Sequence, residues 1–297
     1  MDFTSKAEIF KSLRSGMSAE VERCLTLTGK KRVKTDPVNK KLWGELYKAL
    51  LAEADATANK EKWESSRVLD AQLRLFYCSL VVNLETRNRV VPYDYMDFAR
   101  RIGELWEDFC MLCWSRSVNK KLSRLPAPKF SYVRDDLLAK FAKLVSNSKA
   151  ENGPELIAEH SRAIDLLGNI NLTEDEYCEF EAKRYVIDFK SGFGSNEKGN
   201  TERLLTVAKI YALLPEAHEC VLVVRSAEEE GNNYLQVLKA SKLWTVYCGA
   251  DAYTFIGRLT GFDLGDWIKR NISFPDDMGK EAYHHLHSSL LTKYLSW

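Results

Sequence analysis

The chain has no long hydrophobic run. Nowhere in its 297 residues do the apolar residues continue for the roughly 18 positions that a bilayer-spanning helix needs. The N-terminal MDFTSKAEIF does not have the composition of a secretory signal. A soluble, intracellular protein is therefore expected. A charge excess of one sign is also missing: 43 Lys and Arg stand against 42 Asp and Glu, for a net charge of +1. That excludes a uniformly basic nucleic-acid coat and an acidic solvating protein. Cysteine is scarce and odd in number, seven in all, mostly set in apolar runs. Reduced core thiols fit this better than a disulfide framework. Cys110 and Cys113 form a CxxC, but no second pair follows at zinc-ribbon spacing, and ELWEDFCMLCW reads as a buried helix face. Internal repeats and low-complexity segments are absent.

What is present is enough chain for one large domain or two small ones. Seven tryptophans and thirteen tyrosines argue for a globular protein with a substantial core. Charge is unevenly placed. Residues 1–50 carry eleven Lys and Arg against six Asp and Glu, with GKKRVK at 29–34 and NKK at 39–41 as the densest part. A second basic segment, RSVNKKLSR, spans 116–124. Such clusters can meet phosphates or can simply be solvated loops.

The first 150 residues read as helical, over 41–56, 68–84, 97–114 and 135–147, where apolar residues recur at helical spacing. The pattern then changes. AIDLLGNI (163–170) reads as a strand and YCEFEAKRYVIDFKSG (177–192) as one long strand. The short link NLTEDE between them predicts an antiparallel hairpin. TERLLTVAKIYALLP (201–215) reads as a helix, CVLVVRS (220–226) as a buried strand and LWTVYCG (243–249) as another. Closing helices follow in AYTFIGRLTG and LGDWIKRN. The expected class is α/β: a mixed central sheet flanked by helices, preceded by a helical N-terminal region. The expected division is 1–96 for that region, serving DNA contact or dimerisation, and 97–297 for the core with its C-terminal helices.

In the long strand, Asp188 and Lys190 interrupt an apolar run. Side chains alternate along a strand, so the two point to the same face, roughly 6–7 Å apart. If the hairpin forms as expected, Asp165 on the preceding strand converges on Asp188. Two converging carboxylates repel unless a cation lies between them, and a hard divalent ion such as Mg²⁺ takes oxygen ligands of this kind. A lysine beside such a metal can orient a water and stabilise charge developing on a phosphate. The plain alternative is an ordinary salt bridge on a half-exposed strand.

Asp165, then Asp188-Phe189-Lys190, then Ser191-Gly192 and a helix, resembles the PD-(D/E)xK nuclease superfamily, in particular the type II restriction endonucleases. The resemblance covers roughly residues 97–270. It departs at Ile164, where the family's nominal motif has proline. It implies a restriction-endonuclease-like fold and a prokaryotic-type, cytoplasmic enzyme. It also implies Mg²⁺-dependent hydrolysis of double-stranded DNA at a short site and a homodimer matching a two-fold site. Asp165 and Asp188 would hold the metal and Lys190 would assist the attacking water. Glu104 or Glu107, on the helix before the hairpin, would complete the site, with Glu159 a further contender. His160 is expected as a hydrogen-bonded neighbour and the HHLH at 284–287 as exposed. The loop after Lys190 leads into a helix N-terminus, which favours an anion. Ser191, Asn196, Lys198, Asn200 and Arg203 are the candidate DNA contacts. Two other readings remain open: a repair or structure-specific nuclease of the same fold, and a non-catalytic DNA-binding protein.

Overall fold

The computed structural model describes residues 1–166, 168–192, 198–228 and 232–297. The chain forms two units, one from Met1–Lys120 with Gly249–Trp297 and one from Lys121–Cys248. The boundary expected at 96/97 falls inside a helix of the first unit.

The first unit begins with α1 (Lys6–Thr26), whose Ser5 side chain accepts from the Glu8 N–H as an N-cap. Ile9, Leu13, Met17, Val21 and Cys24 form its buried stripe. Then come α2 (Lys31–Asn39), a π-helical turn over Lys40–Leu46 and α3 (Tyr47–Glu61). The 41–56 segment expected as one regular helix is thus divided at Tyr47. Next is α4 (Ser65–Val90), apolar on nearly every side over Leu73–Leu84, and it packs against α1, α3 and α5 (Tyr95–Ser115). A helix apolar all round must be surrounded by others. Two of its buried polar groups find partners: Gln72 donates to Asp55 at 2.7 Å, and Asn83 accepts from Arg101 at 3.1 Å.

The second unit carries a five-stranded sheet. Its elements are β1 (Leu122–Arg124), α6 (Phe130–Ser148), α7 (Gly153–Asp165), β2 (Glu176–Phe180) and β3 (Lys183–Lys190). These are followed by α8 (Lys198–Tyr211), β4 (His218–Val224), α9 (Asn233–Ser241) and β5 (Trp244–Cys248). Strand order is β1-β2-β3-β4-β5. The β1–β2 and β2–β3 pairs are antiparallel, and the β3–β4 and β4–β5 pairs are parallel. The sheet is mixed, and β3 is the strand at which its sense changes.

Two expectations need correction. The segment 163–170 is not a strand: α7 runs through Ile157, His160 and Ile164 at helical spacing, starts with Pro154 in its first turn and ends at Asp165. The segment 177–192 is not one strand but forms the hairpin itself, turning at Glu181 and Ala182. Both have positive φ, 51° and 62°, as a two-residue hairpin turn of the primed type requires. The sequence has neither glycine nor asparagine there to announce it. Helix α9 was also not expected.

One face of the sheet packs on α8 and α9. Val186, Cys220, Leu222, Val224 and Trp244 meet Leu204, Val207, Ala208 and Tyr211 of α8 and Leu235 and Leu238 of α9 in a single buried cluster. The other alternation, Ile187, Phe189, Val221 and Val223, is buried too. The chain returns to the first unit with α10 (Ala250–Thr260), α11 (Leu264–Asn271), α12 (Phe274–Asp277) and α13 (Lys280–Ser288). There the Trp106 indole N–H donates to the Tyr253 hydroxyl at 3.0 Å, tying α5 to α10. Among the described residues no helix is long and apolar enough to cross a membrane.

Candidate active site

Asp188 lies on the α8-facing side of β3, in step with Val186, and is 2% exposed. A buried, unpaired carboxylate would cost several kcal/mol, so its partners define the site. Lys190, two residues on along the same face, forms an ion pair with Asp188 Oδ1 and also donates to the Phe189 carbonyl at 3.2 Å. Arg203 enters from the first turns of α8, and its Nη2 lies 3.0 Å from Asp188 Oδ2. The packing of α8 on the Val186 face places Arg203 over Asp188.

The acids that join Asp188 come from the approach to β2. The antiparallel register pairs Glu176 with Ile187. One and two residues earlier, Asp175 and Glu174 therefore stand at the level of the end of β3. Asp175 Oδ2 accepts from the Phe189 N–H at 2.6 Å. Glu174 is buried, and both its oxygens take Arg203 Nη1, at 2.8 and 3.0 Å. Arg203 thus bridges Glu174 and Asp188.

Three carboxylates face two cations, and burial raises the proton affinities of Glu174 and Asp175. Burial, then a hydrogen bond with Asp188, push the Glu174 carboxyl up to about 7 against the pull of Arg203. Burial and the Asp188 charge also raise Asp175, while the Phe189 N–H lowers it.

The expected site residues are distributed as follows. Asp188 and Lys190 are together. Asp165 is exposed at the end of α7 and has no place in the hairpin, whose first strand starts at Glu176. Glu104 and Glu107 belong to α5 in the first unit, where Glu104 pairs with Arg100 at 2.7 Å and Arg101 at 3.4 Å. Glu159 is exposed and pairs with Arg162 at 2.9 Å. His160 stacks on Phe141, with ring centroids 4.0 Å apart. Of the DNA-contact candidates, Asn196 lies outside the described residues, as does the side chain of Lys198. Asn200 is exposed on α8, the Ser191 backbone carbonyl accepts from Arg225 Nε at 3.4 Å, and Arg203 is part of the acid cluster. Glu174 and Asp175 were missed. Their signal was present in TEDE, placed directly before the apolar Tyr177, but that stretch read as a hairpin link.

No protein-family model matches the chain, no curated protein matches its sequence and no solved structure matches its fold. The chemistry of the site therefore rests on its own geometry.

That geometry suits a hard divalent cation in donor type and charge. The three carboxylates offer oxygen, and among the described residues Asp188 Oδ1 is buried, accepts no hydrogen bond and pairs with the Lys190 ammonium. It is not an open cage. Among the described residues no group of three or more His, Cys, Asp or Glu stands ready to hold a metal ion, and the cationic place between Glu174 and Asp188 is taken by Arg203. Elsewhere, Cys110 and Cys113 are buried, reduced thiols, and burial raises Cys113 well above the ordinary thiol range. In the HHLH segment, His285 Nε2 lies 3.0 Å from the Tyr93 carbonyl, while His284 and His287 are exposed. The basic segments are partly neutralised: Lys31 by Asp94 and Asp97, Lys41 by Glu45, Arg116 by Asp55, Lys121 by Glu181 and Arg124 by Glu176.

Proposed function

We propose that the chain is a Mg²⁺-dependent endonuclease of the PD-(D/E)xK kind, hydrolysing phosphodiester bonds in double-stranded DNA at a short site, as a homodimer. The observation that carries the reading is the buried Asp188–Lys190 pair at the end of β3, met by Glu174 and Asp175 from the foot of β2. The position supports it as well. Ligand sites in open sheets gather beyond the carboxyl ends of strands where the topology changes, and β3 is such a strand here.

Asp188 with Asp175 or Glu174 would hold the cation, in place of the Asp165–Asp188 pair expected from sequence. When bound, Mg²⁺ supplies Lewis acidity toward a phosphate oxygen. Lys190, only 19% exposed, holds a fixed positive charge beside Asp188, where it can orient a water and stabilise the charge that develops on phosphorus oxygens. Burial strengthens that effect, because the surroundings screen it less than water does.

The test uses the full chain with unmethylated phage DNA, with Mg²⁺ or with EDTA, beside Lys190→Ala and Asp188→Asn. Discrete Mg²⁺-dependent fragments are expected, with cleavage reduced at least about a hundredfold in each variant. Circular dichroism confirms that the variants fold. DNA left intact by folded wild-type protein in Mg²⁺ would sink the proposal. A smear, or cleavage confined to ends and flaps, would replace site-specific restriction with a repair-type nuclease. Light scattering reads the dimer directly.

A further inference from the structure

Arg203 occupies the position that a metal ion would need. Its guanidinium reaches Glu174 Oε1 and Oε2 at 2.8 and 3.0 Å through Nη1 and Asp188 Oδ2 at 3.0 Å through Nη2. Lys190 covers the remaining Asp188 oxygen. Every oxygen of these two acids therefore faces a cation that belongs to the chain itself. A planar guanidinium matches two carboxylates well, because its donors lie in a fixed fork. The acids cannot give those same lone pairs to a divalent ion while Arg203 remains.

Arg203 is also the partner able to leave. Its side chain is 36% exposed, whereas those of Glu174 and Asp188 are 1% and 2% exposed. It lies in the second turn of α8, and Leu204 beside it, not Arg203, is the residue locked in the core. A swing about its own side-chain bonds would free Asp188 without disturbing the helix.

We propose that Arg203 is an internal counter-ion that latches the Glu174–Asp188 pair shut and competes directly with a divalent cation for it. This rests on the reading of Asp188 as a metal ligand. Arg203 then stabilises the metal-free fold and sets the metal affinity, so it is a positioning and regulatory residue and not the free DNA contact expected from sequence. The outward-swung guanidinium is a bidentate group suited to phosphate.

The experiment is a calorimetric titration of Mg²⁺, and of Mn²⁺ as a second probe, into the full chain without DNA. Arg203→Gln is compared with wild type, Arg203→Lys and Arg124→Gln. Arg124 serves as control: it pairs with the neighbouring buried acid Glu176 at 2.6 Å, so its removal changes the local field by one charge without opening the Glu174–Asp188 pair. Arg203→Gln is expected to tighten metal binding by about tenfold, and Arg203→Lys, which cannot bridge both acids, by less. Arg124→Gln should change it less than about twofold, since separated charges near solvent are screened. Equal effects of Arg203→Gln and Arg124→Gln would overturn the latch in favour of a general field. Unchanged or weaker binding in folded Arg203→Lys and Arg203→Gln would overturn it outright. So would no detectable binding in any of the four proteins. Tighter binding in Arg203→Gln with no cleavage of DNA by any protein would leave the latch standing and sink the nuclease.

Discussion

Replacing Glu174 by glutamine should stabilise the protein at alkaline pH although it deletes one partner of a buried ion pair. Glu174 holds its proton up to about pH 7 in the fold, against an ordinary 4.5. The folded state therefore binds that proton more tightly than the unfolded chain. The resulting stability is fully present below about pH 4.5 and is lost as the pH rises through about 7. A difference of this size corresponds to on the order of 3 kcal/mol, and most of it, about 2 kcal/mol, falls between pH 5 and pH 8. A glutamine amide imitates the protonated acid: its oxygen still accepts from Arg203, and its NH₂ can donate to Asp188 where the carboxyl proton did. Glu174→Gln should thus match wild type near pH 5 and exceed it by about 2 kcal/mol near pH 8, a rise in Tm of roughly 6 °C. Thermal melts followed by circular dichroism at the two pH values, both in EDTA, measure this. A Glu174→Gln melt below that of wild type at pH 8 would refute the reasoning. It would mean that the ionised Glu174–Arg203 pair, and not the protonated Glu174, is the stabilising form.

Ala182 carries a φ of 62° in the β2–β3 turn, so Ala182→Gly should stabilise the second unit by roughly 0.5–1 kcal/mol, read as a higher urea midpoint. A lower midpoint would show that glycine's freedom in the unfolded chain outweighs the relief of strain. His218 Nδ1 lies 2.7 Å from the Glu216 carbonyl, which requires a proton on Nδ1 and leaves Nε2, 2.9 Å from the Tyr177 hydroxyl, as acceptor. Burial holds this histidine below its ordinary value. Protonation therefore opposes the fold, and its contribution is lost as the pH falls through the ordinary histidine range. An NMR titration should show the Nδ1–H tautomer, and Tyr177→Phe should raise the midpoint. A midpoint above about 6.5 in wild type would contradict the assignment.

How far the sequence could be read depended on how local each signal was. The apolar run Cys220–Val224 announces β4 because a strand buried on both faces needs no partner's register to be seen. Asp188 stands out for the same reason, as a charge inside Tyr185–Phe189, which the fold indeed buries, with Lys190 directly after it. The partner acid was not legible in this way. Over so short a window, AIDLLG satisfies a helix end and a strand equally, and the two-residue turn at Glu181 and Ala182 uses residues that rarely adopt positive φ. Moving the hairpin from 163–192 to 176–190 exchanges Asp165 for Glu174 and Asp175. No pattern within either segment decides between them, because the decision belongs to the register.

Arg203 is the extreme case. It lies fifteen residues beyond Asp188, across a polar stretch, and reads as a surface group until α8 is packed on the sheet. Its role follows from the burden the fold carries. Three acids are gathered here out of water, and burial first, with Asp188 nearby second, raises the proton affinities of Glu174 and Asp175. On the proposed reading, a chain that folds before it meets a metal needs its own positive charge among them. On the same reading, the better that charge fits, the more it would compete with the metal. A half-exposed arginine on a helix anchored by its neighbour Leu204 satisfies both demands. A fully buried lysine or arginine in its place would stabilise the fold and close the site.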